Sequence, residues 1–274
     1  MRSSSFGSFV GVFAFFVGGA VVGVSVVGCT NDAAKDTSDA AANDSDAIVK
    51  AALAAQNARV GAVRDYAVVG EVKDVASGQT MSFSYAMQQP AYSVGDLKDP
   101  VGNLLRSFVF DGKVLAIVDG GTKTVTRRDL SQDEEQMLLT LHEIFSQFVC
   151  EGWRPPLIKP QGTKGSRAGD DVVLVVPVDD PAVASQRLTL SSSGAFKRKE
   201  LLDKGGNVVV STVVVEDATD EGTGLTFPRV WRHTEGGSTQ QVTLSSWKVN
   251  AGVDPARFNT NAVPDGFTAD RTSP

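Results

Sequence analysis

Apolar and polar positions change rhythm several times along this chain, and each change marks an element. Residues 6–27 are almost continuously apolar. Residues 30–46, TNDAAKDTSDAAANDSD, are small, polar and acidic, with no large apolar side chain to repay the entropy of ordering, and read as a flexible tether. Over 46–66, Ile48, Ala52, Ala55, Arg59 and Val63 recur at helical spacing with Val49, Leu53 and Val60 beside them. That spacing predicts one amphipathic helix behind an Asp or Ser N-cap.

The period then falls to two. Strand-like runs at 66–75, 80–88, 91–97, 104–110, 113–119 and 122–129 are punctuated by Ser77-Gly78, Asp111-Gly112 and Gly120-Gly121, and Asp-Gly between apolar runs is a strong hairpin signal. Helical spacing returns at 131–150. Ser131 and Glu134 make a capping box, Asp133, Glu134 and Glu135 suit a helix N-terminus, and Met137, Leu138, Leu141, Ile144, Phe145, Phe148 and Val149 fall on one wide apolar stripe. A Pro- and Gly-rich loop follows at 153–169.

A second set of strand-like runs covers 171–178, 186–190, 195–202, 207–216, 225–234 and 239–249. A turn centred on Gly236-Gly237 sets Trp231 opposite Val242. About a dozen short strands with local turns require antiparallel pairing, because parallel strands need long crossovers. The expected fold class is mainly β (α+β): one highly curved antiparallel sheet, an unclosed β-barrel, in a single domain over 47–274.

Charge and chemistry narrow the functions. With 26 basic against 32 acidic residues and no long basic run, the chain is unsuited to nucleic acid or to anionic headgroups, so any lipid contact must be apolar. The one compact basic cluster, Lys197-Arg198-Lys199, reads as a solvated charge run. Cys29 and Cys150 are the two cysteines, too few for a disulfide framework, and Cys150 closes an apolar pattern as a small hydrophobe. His142 and His233 have neither metal-ligand spacing nor an evident aspartate orienter, and Gly-x-Ser-x-Gly is absent. Gly162-Thr163-Lys164-Gly165-Ser166 lacks the phosphate-loop pattern. The expectation is a protein that is not an enzyme, with no metal and no cofactor.

The apolar stretch ends at Val26-Val27-Gly28-Cys29, which resembles the lipobox of bacterial lipoproteins, where the cysteine thiol is acylated and the preceding peptide removed. Roughly 20 apolar residues would also span a bilayer as an uncleaved anchor. Arg2 as an n-region, the helix-weakening Gly18 and Gly19, and Gly28 before Cys29 favour a cleaved leader over 1–28. The resemblance implies a lipidated Cys29 opening a tether over 29–46. Because Thr30, not aspartate, follows the cysteine, it implies the outer membrane, facing the periplasm.

A second resemblance lies downstream. Gln88-Gln89-Pro90, the run 91–97, Asp99-Pro100 and Val109-Phe110-Asp111-Gly112-Lys113-Val114-Leu115 look like the core pattern of LolA-type lipoprotein carriers. Phe227-Pro228, the run 241–249, Asn250, Val253-Asp254, Phe258 and Pro264-Asp265-Gly266-Phe267 are similar to the family's last strands and tail. This implies an unclosed antiparallel barrel with a helical lid and an apolar cavity for the acyl chains of lipids or lipoproteins. A tethered chain is closer to the lipid-anchored receptor LolB than to soluble LolA. Around Tyr92-Ser93-Val94 the arginine and large aromatics common in the family are missing, so no lid-locking arginine is carried over.

The functional expectation is therefore a lipid-anchored envelope lipoprotein that binds acyl chains and serves lipid or lipoprotein transport. The alternative is a structural or protein-interaction lipoprotein, with envelope proteins as partners and a filled core. Candidate lid residues are Met137, Leu138, Leu141, Ile144, Phe145 and Phe148; candidate cavity residues are Phe83, Tyr85, Phe108, Phe110 and Trp231.

Overall fold

In the computed structural model the described residues are 35–89, 91–131, 161–178 and 180–269, with side chains described from Asp44 onward. The leader, Cys29, the apolar stripe of 137–149, His142 and the first part of the 153–169 loop lie outside them. From Asp39 onward the chain forms one unit.

Helix α1 is Lys35–Ala62, so it starts ahead of the expected Asp46 and includes part of the stretch read as a tether. No glycine or proline interrupts 35–60, and the short polar residues there cost a helix only tenths of a kcal/mol each, so nothing stops it at Asp46. The strands are β1 (Asp65–Asp74), β2 (Thr80–Gln88), β3 (Tyr92–Lys98), β4 (Leu104–Asp111), β5 (Val114–Asp119), β6 (Thr124–Asp129), β7 (Lys164–Ala168), β8 (Asp171–Pro177), β9 (Ser185–Leu190), β10 (Phe196–Leu202), β11 (Val208–Thr219), β12 (Thr226–Glu235), β13 (Ser238–Val249) and β14 (Thr268–Ala269). Two were not foreseen. Strand β7 forms inside the stretch read as a loop, and β14 is a two-residue strand in the tail.

The 14 strands among the described residues lie in one unclosed sheet, in the order β14-β6-β5-β4-β3-β2-β1-β13-β12-β11-β10-β9-β8-β7. Every pairing is antiparallel except β14 with β6. Two meanders, β1–β6 and β7–β13, are joined edge to edge by β1 and β13, from Tyr66↔Val249 to Asp74↔Gln240. The hairpins rest on the expected turn chemistry. Gly236 and Gly237 both have positive φ, 56° and 82°, as a two-residue turn between right-twisted strands requires. Register shifts at Val69/Gly70 in β1 and at Val214/Glu216 in β11 mark bulges, which bend a sheet.

Residues opposed across antiparallel strands share a face, so the registers sort the side chains. The front face carries the large aromatics. The back of the first meander carries small residues, Ala67, Ala86 and Ala116, which form a shallow bed for the C-terminal tail. There Phe258, in a 3-10 turn at Pro255–Phe258, packs with Ala86 and Val94, and Phe267 packs against Ala116, Val118 and Val125. Polar groups pin the tail in place. Arg127 Nε donates to the Thr260 carbonyl at 2.8 Å, the Thr260 hydroxyl donates to Asp111 Oδ2 at 2.8 Å, and Lys123 Nζ stands 4.7 Å over the Phe267 ring.

Asp111 thus serves two structures. Its other oxygen accepts the backbone N–H groups of Lys113 and Val114, closing the β4–β5 hairpin. Burial pushes its carboxyl pKa up, but those two N–H groups and the Thr260 hydroxyl outweigh it and hold the carboxyl below its usual value. A carboxyl whose folded pKa is depressed stabilises the fold fully above its unfolded value of about 3.9, and that contribution is lost as pH falls through the folded value. Lowering the pH from 5 to 2 should therefore loosen the tail, read as faster amide exchange at 258–268. Asp111→Asn should flatten that pH dependence; an unchanged profile would remove Asp111 as its cause.

Candidate binding face

Cross-strand neighbours place the five described cavity candidates on one face. Phe83 opposes Gly70 and Leu97, Tyr85 opposes Gly95, Gly95 opposes Phe108, and Ser93 opposes Phe110. Through the β1–β13 join, Gly70 opposes Leu244 and Val72 opposes Val242, and Val242 opposes Trp231 as the Gly-Gly turn predicted. All five are buried, with exposures of 3%, 0%, 6%, 0% and 5% for Phe83, Tyr85, Phe108, Phe110 and Trp231, so none belongs to the outer surface. The six lid candidates on 137–148 lie outside the described residues.

The rings form a continuous run. Tyr66, outside the sequence candidates, stands 5.5 Å centroid to centroid from Tyr85, and Tyr85 stands 6.1 Å from Phe108. Two glycines set how these rings lie. A Cβ on Gly95 would be 2.5 Å from the Phe108 ring, and one on Gly70 would be 2.7 Å from the Phe83 ring and 2.5 Å from the Thr243 carbonyl oxygen. Each ring therefore leans across onto the bare backbone of its cross-strand partner, an arrangement that repairs the gap a strand glycine leaves. The result is a floor one ring thick. Glycine inside an alternating strand signals a close approach, and Gly70 and Gly95 carried that signal in the sequence.

Helix α1 crosses one end of this face. Gly165, which opposes Leu174, admits Ile48 into a space its own side chain would fill, and its N–H donates to Ser45 Oγ at 2.8 Å. Further along, Ala55 meets Gly194 in the β9–β10 turn, the Arg59 guanidinium donates to the Thr226 carbonyl, and Gln89 Nε2 donates to the carbonyls of Val60 and Val63 at 2.9 and 2.6 Å. Burial pushes the Arg59 guanidinium below its usual pKa, against the opposing charge of Asp217. Ile48, Val49 and Ala52 are buried beneath the helix.

A recess of about 1100 Å³ runs along α1, lined by Val49, Leu53 and Ala54 with Ser45, Asp46, Lys50, Asn57 and residues 161–164. It holds none of the five aromatic candidates. Chemistry for metal binding is missing among the described residues, where no cluster of His, Cys, Asp or Glu could hold an ion. No helix among them is long and apolar enough to cross a membrane. His233 Nε2 lies 3.6 Å from Glu235 Oε2, and its Nδ1 3.1 Å from Thr212 Oγ1.

The glycine–aromatic contacts yield a contrast. Gly70→Ala forces a methyl against a backbone carbonyl and should destabilise by about 1–3 kcal/mol. Gly61→Ala, in α1 with nothing within 4 Å of a new Cβ, should stabilise by about 0.5–1 kcal/mol. Urea midpoints measure both; a neutral Gly70→Ala would show that Phe83 does not press on the β1 backbone.

No protein-family model and no curated protein matches this sequence. Among solved structures the chain is similar to a DUF1329 family protein from Desulfovibrio piger, with TM-score 0.57 and 13% identity over 80% of this chain and 98% of the other. It is also similar to a domain described as an outer membrane lipoprotein-sorting protein from Vibrio parahaemolyticus, with TM-score 0.54 and 11% identity over 80% and 98%. A LolA superfamily protein from Nitrosomonas europaea aligns at TM-score 0.48 and 12% identity over 76% and 97%. At such identities the likeness to the first two is one of fold alone, and it agrees with the unclosed antiparallel sheet and its helix: this chain has a LolA-like fold.

Proposed function

We propose that this chain is a lipid-anchored envelope lipoprotein that binds acyl chains of lipids or lipoproteins over its front face, in lipid or lipoprotein transport to the outer membrane. One observation carries the reading. Phe83 and Phe108 lie down on glycines in place of standing up from the sheet, which gives a thin apolar floor above which a chain can lie. The stripe of Met137, Leu138, Leu141, Ile144, Phe145 and Phe148 is the proposed cover. The lipobox-like junction at Cys29 supplies the anchor, holding the domain at the periplasmic side of the outer membrane.

Burying a 16-carbon chain contributes about 12 kcal/mol at about 0.8 kcal/mol per CH2. A bilayer offers that chain the same environment, so transfer between membrane and protein is close to balanced. Small changes in the cover can then set its direction.

The near-complete burial of all five aromatic candidates favours a second reading, a structural or protein-interaction lipoprotein with a filled interior. Native mass spectrometry after gentle purification separates the two. The first reading expects co-purifying lipid and uptake of a fluorescent fatty acid; a clean apo mass with no uptake leaves only the second. For the anchor, Cys29→Ala should move the protein from the membrane fraction to the soluble one, and unchanged sedimentation would reject lipidation as the tether.

A further inference from the structure

The back of the sheet changes character between its halves. Behind the first meander it is small and apolar under the tail; behind β9–β13 and the turn end of β1 it is cationic. One register row there reads Arg198, Val213, Arg232, Gln241 and Lys73, with a cation on every second strand. Strands lie about 4.8 Å apart, so successive cations stand about 10 Å from one another along the row. Arg187 lies beside the row opposite Glu200, and Lys248 lies beyond it opposite Ala67. Arg232, Lys73 and Lys248 are exposed, and the Arg187 and Arg198 side chains are 40% and 50% exposed.

The carboxylates on this face do not cancel that charge. Glu200 is buried between Arg187 and Arg198, at 3.3 and 2.9 Å, so one carboxylate serves two guanidinium groups. Asp65, at the far end of β1, is also buried and accepts the Gly252 N–H. The third, Glu71, is exposed two residues from Lys73. Glu216 and Asp171 are matched by Arg229 at 2.8 Å and Lys197 at 2.5 Å. Asp74 stands on the front, opposite Gln240, its carboxylate held by Ser77 and Ser238. The cations Arg187, Arg198, Arg232, Lys73 and Lys248 thus outnumber Glu200, Asp65 and Glu71 by two, on a chain that is acidic overall.

We infer that this face is a docking surface for a bilayer with net-negative headgroups. Charge complementarity gives the sign of the partner, and the make-up of the face tells a headgroup layer from a protein. Protein interfaces centre on aromatic anchors buried in packed pockets, whereas the cations here stand among Ser211, Thr234, Thr239, Thr243 and Gln241, short polar side chains on an open sheet. A headgroup layer needs no pocket. Attraction between basic side chains and an anionic leaflet decays within a Debye length, about 8 Å at physiological ionic strength, so the row acts only in contact. The net charge of the chain argues against such contact, but charges on other faces lie beyond that distance. This inference does not depend on the acyl-chain reading.

Co-sedimentation of the full chain carrying Cys29→Ala tests it, with vesicles of phosphatidylcholine alone and of phosphatidylcholine mixed equally with phosphatidylglycerol. Apolar attraction is common to both, so the ratio of the two affinities reads charge alone. The anionic vesicles should bind about twentyfold more tightly at low salt, from two uncompensated charges at about fivefold each. In about 1 M salt, where the Debye length is about 3 Å, the preference should vanish. Arg232→Gln and Lys73→Gln should each lower it about fivefold. Lys113→Gln, the same change of charge in the β4–β5 turn, should leave it unchanged. Equal binding to both vesicles, a preference that salt does not remove, or an equal loss in Lys113→Gln overturns the docking surface, and each of these leaves the acyl-chain reading standing.

Discussion

The pairing of β1 with β13 makes a single face out of two meanders. Each meander alone is a run of local hairpins, and neither contains both the Phe83–Tyr85–Phe108 group and Trp231. The join is long-range in sequence, so its loop-closure entropy must be repaid by contacts that form only once it exists. Those contacts are Gly70 against Leu244, Val68 against Trp247, and Asn250 bonding back to the end of α1 and the start of β1. The one-residue shift at Val69/Gly70 matters for the same reason. Period-two alternation means that a slip turns every following side chain to the other face, and the bulge lets Leu244 and Trp247 both point to the front.

Which residues are large and which small then divides the labour between the two faces. On the first meander the back is built of alanine and valine and is closed by the tail through Phe258 and Phe267. The front is built of Tyr66, Phe83, Tyr85, Phe108 and Phe110. Because the tail already shields the back, the front can keep an apolar floor for something other than the sheet's own stability. Gly70 and Gly95 make that floor thin, and α1 covers only one end of the face, through Gly165, Gly194 and Thr226.

Much of this was legible in the sequence, for reasons that can be named. Asp111-Gly112 and Gly236-Gly237 located hairpins because backbone conformation demands those residues, and β1–β6 and β8–β13 follow the alternation closely. Strand β7 was not legible. Its residues, Lys164–Ala168, have no apolar alternation, and they are strand because β8 offers an unpaired edge. The start of α1 was not legible because its first turns carry no apolar spacing, and only the absence of a helix breaker lets them form. The five aromatic candidates do share a face, but alternation alone could not give the leaning of Phe83 and Phe108 onto glycine.

Net charge is a poor guide to what such a face binds. The chain carries -6 overall, a balance that counts every charge alike. At physiological ionic strength, however, exposed charges more than about 8 Å apart are largely screened, while partly buried ones are screened much less. The aspartates that dominate the count sit in exposed turns, as Asp74, Asp99 and Asp203 do, each occupied by the N–H groups of its own turn. Local geometry therefore outweighs the global balance, because these carboxylates are held by their own turns and not by the apolar floor of Phe83, Tyr85 and Phe108.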